Sequence, residues 1–159
     1  MKVFLAGIMQ GSLRAERIHR QDWRGRIRQA IRRHCPQAEV YCHYERHPRS
    51  IRYALPEIVA TLEEGNRLAA EADALVCWLP EASMGTAVEM HVAGRAGAAV
   101  IAITPMGANW VVRAYSDRIV PDLAAFERFL AEGGLAALVE AKRRSRGTGG
   151  SPGGGGRRP

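Results

Sequence analysis

The chain has 159 residues, of which 47% are hydrophobic and 25% are charged, so its composition indicates a folded globular protein rather than a disordered one. Its net charge of +7 is concentrated at one end. Six of the 23 basic residues lie beyond residue 141, and the rest of the chain carries 17 basic side chains against 16 acidic ones. This nearly neutral body does not favour nucleic acid as a partner.

Short apolar runs alternate along the chain with segments of helical character. The predicted strands are Lys2–Gly7, Glu39–His43, Ala74–Leu79, Ala98–Thr104 and Arg118–Val120. The predicted helices run from a cap at Asp22 to His34, from Pro56 to Ala72, from Thr86 to Gly94 and from Pro121 to Leu138. We expect the second of these helices to have an apolar side, formed by Leu55, Ile58, Val59, Leu62 and Leu68.

This alternation predicts an α/β fold with an open, mostly parallel five-stranded sheet and helices on both faces. Such sheets bind ligands beyond the carboxyl ends of their strands, where the strand order reverses. We therefore expect the loops after Gly7, Leu79 and Thr104 to share one crevice.

Residues 142–159 are basic and end in the Gly-rich run SRGTGGSPGGGGRRP. They are predicted to form a disordered tail on a domain that spans residues 1–141. The three cysteines lack the paired spacing of a zinc or redox site, which favours reduced thiols in a cytoplasm. We expect no signal peptide and no membrane-spanning segment.

The most informative segment is PEASMGTAVEMHVA, residues 80–93. Ser83 can cap the helix that follows, Gly85 allows a ligand to approach the backbone, and Glu89 falls about one turn into the helix. The positive end of the helix dipole favours an ionised carboxylate there. An ionised carboxylate in a crevice is suited to attack an anomeric carbon. Position alone also fits a first-turn acid with no catalytic role.

The run ADALVCWLPEASMGTAVEMHVAGRAGAAVIAIT resembles the characteristic pattern of the nucleoside 2-deoxyribosyltransferase superfamily. Ala72-Asp73 opens a strand, Gly85 and Glu89 have the Gly-x-x-x-Glu spacing, and the opening FLAG ends in the family's glycine, Gly7. The resemblance implies a flavodoxin-like fold, with Glu89 as the catalytic nucleophile and no metal or organic cofactor. It implies a nucleoside or nucleotide as the substrate.

The superfamily contains deoxyribosyltransferases and hydrolases of nucleoside 5′-monophosphates. Ser83 stands where transferases commonly have an Asp. A serine at this position resembles the monophosphate hydrolases, in which a hydroxyl can donate to phosphate. The run Gly11–Arg14 resembles their first-loop phosphate contacts, so Ser12 and Arg14 are predicted to bind phosphate, with Arg17 as an alternative to Arg14. Solvent-facing loop arginines with no such role are the other interpretation of Arg14 and Arg17.

Two positions depart from the family pattern. Phe4 replaces a common Tyr, which resembles members that accept ribonucleotides but also fits a core side chain. Gly65 stands at the position of the family's second acid, and Glu64, or its neighbour Glu63, is the candidate to replace it as the acid that assists the leaving base. The alternative is that both are solvated acids on an exposed helix face with no catalytic role.

Asn109, with Trp110 beside it, matches a region that family members insert into a neighbouring subunit's site. The resemblance therefore implies a homodimer or higher homo-oligomer with Asn109 in contact with substrate; a core role within the chain is the alternative for Trp110. The leading hypothesis is an N-glycosidase of nucleoside 5′-monophosphates. The alternatives are a nucleoside 2-deoxyribosyltransferase and a non-catalytic nucleotide sensor, which Gly65 favours.

Overall fold

The computed structural model describes residues 1–14 and 16–148. In that part of the chain, five strands alternate with helices. The strands are β1 (Lys2–Gly7), β2 (Glu39–Cys42), β3 (Ala74–Trp78), β4 (Ala99–Ile103) and β5 (Arg118–Val120). The helices are α1 (Trp23–His34), α2 (His43–Arg46), α3 (Leu55–Ala70), α4 (Met84–Arg95), α5 (Trp110–Tyr115), α6 (Leu123–Ala131) and α7 (Gly134–Thr148), with a 3-10 turn at Ser50–Arg52.

All five strands are parallel and lie in the order β2-β1-β3-β4-β5. This is the flavodoxin-like order of a doubly wound sheet, so the predicted fold class is confirmed. The direction of winding reverses between β1 and β3. The loops that leave these two strands therefore diverge, and a crevice opens at the carboxyl edge of the sheet.

Each face of the sheet is covered by its own set of helices. Side chains alternate along β1, so that Val3 and Leu5 pack on one face while Phe4 and Ala6 pack on the other. The core on the first face contains side chains of α1, α6 and α7, and the core on the second contains side chains of α3, α4 and α5. The second face carries Glu89 and is the one that forms the candidate site.

The carboxyl-terminal helix differs from the prediction. The single predicted helix from Pro121 to Leu138 is two helices, α6 and α7, because Gly133 adopts a φ of +74° between them. Helix α7 then extends to Thr148, so residues 142–148, which the sequence assigned to a disordered tail, are helical. Residues 149–159 of the predicted tail lie outside the described residues.

Two ion pairs explain why α7 continues past residue 141. Lys142 lies 2.6 Å from Asp117, and Arg143 lies 2.9 Å from Asp73. Asp73 also accepts a hydrogen bond from the backbone N–H of Lys2 at 2.7 Å. The basic residues of this segment thus hold α7 against the amino-terminal edge of the sheet.

Candidate active site

The three loops predicted to share a crevice do so in the structure. They line a cavity of about 370 Å³ at the carboxyl edge of the sheet. The loops after β1, β3 and β4 contribute Gly11, Ser12, Leu79, Ala82, Ser83, Met106 and Asn109. The remaining wall is aliphatic and comes from α4 and α5, so this cavity suits a flat apolar group better than a highly charged one.

A second cavity of about 250 Å³ lies between α3 and α4. We call it the Glu89 cavity; its lining residues are His43, Thr61, Leu62, Gly65, Asn66, Met84, Gly85, Val88 and Glu89. Met84 lines both cavities and is 85% exposed, so a flexible side chain separates them. The predicted site residues therefore fall into two adjacent groups: Ser12, Ser83 and Asn109 line the first cavity, and Gly85 and Glu89 line the second.

Glu89 lies deeper in α4 than the sequence indicated. Ser83 is the N-cap, and its hydroxyl accepts hydrogen bonds from the Thr86 backbone N–H at 3.5 Å and from the Thr86 hydroxyl at 3.1 Å. Glu89 follows six residues later, in the second turn, whereas the dipole effect is confined to the first. Burial raises the pKa of the Glu89 carboxyl to about 7. Desolvation, and not the helix dipole, therefore determines the pKa of the Glu89 carboxyl.

A buried arginine opposes this rise. Desolvation has the larger effect on the pKa of the Glu89 carboxyl and raises it. The positive charge of Arg24 has a smaller effect and lowers it. Arg24 is 4% exposed and donates to Gln21 Oε1 at 2.7 Å, to the Leu5 carbonyl at 3.3 Å and to the Gly7 carbonyl at 3.4 Å. These hydrogen bonds hold its guanidinium beside the carboxyl end of β1, where its charge acts on the candidate nucleophile, Glu89.

The sequence pattern of α1 does not single out Arg24. The four-residue spacing of Trp23, Ile27 and Ile31 predicts one apolar face, and Arg24 falls outside that spacing. Arg24, however, precedes Ile27 and Ile31 by three and seven residues, which is also same-face spacing on a helix. The guanidinium stacks on the Trp23 ring at 4.2 Å, and this contact helps to bury it.

Gly7 has a packing role in the structure. Its φ is +147°, and a Cβ there would lie 2.5 Å from the Trp23 ring and 2.8 Å from the Trp78 carbonyl oxygen. Gly7 is not among the residues that line either cavity. Phe4, on the same strand, is buried and stacks on Tyr41 with ring centroids 5.4 Å apart. The substrate contact predicted for Gly7 stays a prediction.

The structure does not bring together all of the residues predicted to bind phosphate. The Ser12 hydroxyl lies at the rim of the first cavity and donates to Glu81 Oε2 at 3.4 Å. Arg14 and Arg17 are exposed and line neither cavity. A carboxylate beside Ser12 opposes an anion, so the phosphate role of these residues also stays a prediction.

Asn109 caps α5 within its own chain. Its Oδ1 accepts from the backbone N–H groups of Val111 at 3.0 Å and Val112 at 3.3 Å, and its amide N–H₂ group is not used by this cap. Trp110 follows it and is 87% exposed. The alternative of a core role for Trp110 within this chain is therefore wrong.

Glu64 does not line the Glu89 cavity. Glu64 is exposed, and its Oε2 lies 3.2 Å from His47 Nε2. Gly65 is buried in the cavity wall, where a Cβ would meet the His43 ring at 3.5 Å. His43 Nδ1 lies 3.1 Å from the Tyr41 hydroxyl. The acid role predicted for Glu64 stays a prediction, and His43 is the titratable neighbour of Gly65 in this cavity.

Across the described ranges, 1–14 and 16–148, no three His, Cys, Asp or Glu side chains are grouped so as to hold a metal ion. In the same ranges, no helix has both the length and the apolar character needed to cross a membrane.

Solved structures share this fold. A 2-deoxyribosyltransferase from Bacillus psychrosaccharolyticus superposes with a TM-score of 0.63 at 15% identity, covering 87% of this chain and 96% of that one. A conserved protein from Enterococcus faecalis gives 0.56 at 17% identity, covering 83% and 98%. The CMP N-glycosidase of Clostridium botulinum gives 0.50 at 18% identity, covering 82% and 98%.

The protein is thus a flavodoxin-like α/β protein with a crevice at the switch point of its sheet. Its fold is shared with a 2-deoxyribosyltransferase and a CMP N-glycosidase, and it is the fold that the resemblance in the sequence implied. No family model matches the sequence, and no curated protein matches it significantly.

Proposed function

We propose that the protein is an N-glycosidase of the nucleoside 2-deoxyribosyltransferase superfamily that cleaves the base–sugar bond of a nucleoside 5′-monophosphate. The observation that carries this proposal is the position of Glu89. Glu89 lines a cavity at the carboxyl edge of the sheet, with the buried charge of Arg24 acting on its carboxyl. Two neighbours in fold, a 2-deoxyribosyltransferase and a CMP N-glycosidase, support the class of reaction.

The chemistry uses the carboxylate of Glu89 as a nucleophile. It attacks the anomeric carbon, the electron pair of the C–N bond leaves with the base, and a glycosyl ester forms on Glu89. Water then hydrolyses the ester: its hydroxyl bonds to the sugar, its proton goes to the base, and the carboxylate is restored. A pKa of about 7 leaves half of the carboxyl groups ionised at neutral pH. The partial removal of water that raises this pKa also leaves the carboxylate less shielded when it attacks.

A second candidate function is base exchange on an unphosphorylated deoxynucleoside. The contact between Ser12 and Glu81 favours it, because a carboxylate beside the predicted phosphate contact repels a phosphate. In this reaction the same ester on Glu89 is resolved by a second base instead of water. The mostly apolar first cavity has room for such an acceptor.

A panel of substrates separates these functions. Nucleosides and their 5′-monophosphates are incubated with the protein, with and without a free acceptor base, and released base is quantified by chromatography. We expect release from monophosphates without an acceptor. Release only in the presence of an acceptor supports the transferase. Ligand-induced thermal stabilisation without turnover supports a nucleotide sensor and contradicts both enzymatic functions.

We further propose that the protein is a homo-oligomer in which a second copy covers the helical face around the Glu89 cavity. Apolar side chains of three neighbouring helices are exposed on this face, which we call the apolar face: Leu55, Ile58, Val59, Leu62, Met84, Val88, Trp110, Val111 and Tyr115. Patches of this kind mark interaction surfaces. Three of these residues, Leu62, Met84 and Val88, also line the Glu89 cavity, so a second copy seated here closes it from solvent.

Leu55→Glu tests this arrangement. Leu55 is 71% exposed and does not line either cavity, so a charge there acts on association and not on the cavity itself. We expect the variant to be monomeric by light scattering after size exclusion, with base release at least tenfold slower. Ala124→Glu, an exposed position on α6 at the opposite face, is the control and should leave the oligomer intact. A wild-type protein that is monomeric at assay concentrations contradicts the proposal.

A further inference from the structure

The cavity wall contains an imidazole beside the position where the superfamily pattern has its second acid. That position is Gly65, and the three heavy atoms nearest to a Cβ built there all belong to His43: Cε1 at 3.5 Å, Nε2 at 3.6 Å and Nδ1 at 3.7 Å. A side chain at position 65 would therefore project toward the ring. The His43 ring thus lies in van der Waals contact with the position that a Cβ at residue 65 would take.

The backbone also places His43 well for contact with a substrate. It directly follows the last residue of β2, Cys42, at the same edge of the sheet as the crevice. Glu89 approaches the cavity from α4 on the other side. One cavity of about 250 Å³ thus has a candidate nucleophile and an imidazole in its wall, with the Asn66 amide beside them.

The neighbours of His43 determine its protonation. Burial and, to a lesser extent, the charge of His47 lower the pKa of its imidazole to about 4; Glu64 acts in the opposite direction, and Arg24 adds a smaller lowering. Burial raises the pKa of Tyr41, so its phenol remains protonated and can donate to His43 Nδ1 at 3.1 Å. The ring is then neutral at pH 7, with its proton on Nε2 as a hydrogen-bond donor.

We propose that His43 donates a hydrogen bond to the departing base and replaces the acid that Gly65 lacks. This proposal rests on the proposed N-glycosidase function. In the first step an oxygen of Glu89 bonds to the anomeric carbon, and the electron pair of the C–N bond moves onto the base, where the His43 N–H stabilises the negative charge. In the second step water adds its oxygen to the sugar, its proton goes to the base, and Glu89 leaves as the carboxylate.

The choice of leaving group tests this role. An N7-methylated purine nucleotide releases a neutral base and needs little assistance, whereas an unmethylated purine nucleotide releases an anion. We expect His43→Ala to slow release of the unmethylated base by about 10²-fold, the usual cost of losing a donor to developing charge, and to change release of the methylated base far less. His43→Phe, which keeps a ring without a donor, should show the same selectivity if His43→Ala folds poorly.

A compensating variant makes the test specific. In His43→Ala/Gly65→Asp, a carboxyl group projects from position 65 into the vacated space, and we expect at least tenfold recovery on the unmethylated substrate. The control is His34→Ala, which removes a histidine at the carboxyl end of α1, at the opposite edge of the sheet. Equal losses on both substrates, or no loss, overturn the role of His43 alone. A wild-type protein that cleaves neither substrate overturns the proposed function and this role with it.

Discussion

Glu89→Gln is expected to reduce base release by about 10⁴-fold or more while the protein stays folded. The substitution keeps the size and shape of the side chain but removes the nucleophilic oxygen, and the loss of a covalent nucleophile has effects of this order in other enzymes. The measurement is release of base from the best substrate of the panel. Glu81→Gln, at the acid that accepts from the Ser12 hydroxyl, is a matched change of acid to amide. We expect this variant still to form and hydrolyse the glycosyl ester on Glu89.

The same Glu89 variant is expected to be more stable than the wild type at pH 8. The pKa of the carboxyl rises from an ordinary 4.5 to about 7 on folding, so the folded state binds more protons between these values and stability falls as pH increases through this window. The full difference corresponds to about 3 kcal/mol, and partial exposure reduces our expectation to about 1–2 kcal/mol. A rise of a few degrees in Tm at pH 8, absent at pH 4, is expected.

These two results together distinguish a catalytic Glu89 from a structural one. A carboxylate that holds the fold together through favourable contacts destabilises the protein when it is replaced. A desolvated nucleophile shows the reverse, since its ionised form is costly to bury. Loss of activity with lower stability at pH 8 therefore contradicts the account.

Arg24→Met is expected to move the acidic limb of the kcat/KM profile to higher pH. For the wild type, kcat/KM should fall about tenfold for each pH unit below 7, because in the proposed mechanism only the ionised Glu89 attacks. Arg24 is the positive charge that holds this pKa down. Without it the pKa rises, and a rise of one in the pKa lowers activity at pH 6 about tenfold.

The controls separate the charge of Arg24 from its packing. The substitution leaves the carbonyls of Leu5 and Gly7 without this donor, which costs about 1–3 kcal/mol of stability, so assays are run below the melting range. Arg24→Lys keeps the charge and should keep the acidic limb close to that of the wild type. Arg28→Met, one turn further along α1 and ion-paired with Glu45, should not move the limb. An unchanged profile for Arg24→Met contradicts the role given to its charge.

The order of strands and helices was predictable because it depends on local patterns. The buried strands β3 and β4 are continuous apolar runs, and the five strands begin and end within one residue of their predicted bounds. The crevice followed from topology, since the carboxyl ends of parallel strands lie on one edge. The extent of α7 was not predictable, because Asp73 and Asp117, the partners of its basic residues, are distant in sequence.

The properties of the candidate site depend on tertiary packing and could not be predicted from the sequence. The pKa of Glu89 is set by desolvation, whereas the sequence shows only its place in a helix. The apolar side predicted for α3 exists, but Leu55, Ile58, Val59 and Leu62 are exposed and the helix buries Gly65 and Ala69 instead. A periodic pattern shows that a face is apolar and does not show whether it packs within one chain or between two.

Mass spectrometry of the protein during turnover tests the central claim most directly. A 2′-fluoroarabinosyl nucleotide is used as the substrate, because fluorine at C2′ destabilises an oxocarbenium-like transition state and slows hydrolysis of the ester. After an acid quench, we expect the mass of the protein to increase by one glycosyl phosphate group, on the peptide that contains Glu89. The adduct should be absent from Glu89→Gln. An adduct on another residue, or undiminished base release by Glu89→Gln, would contradict the account.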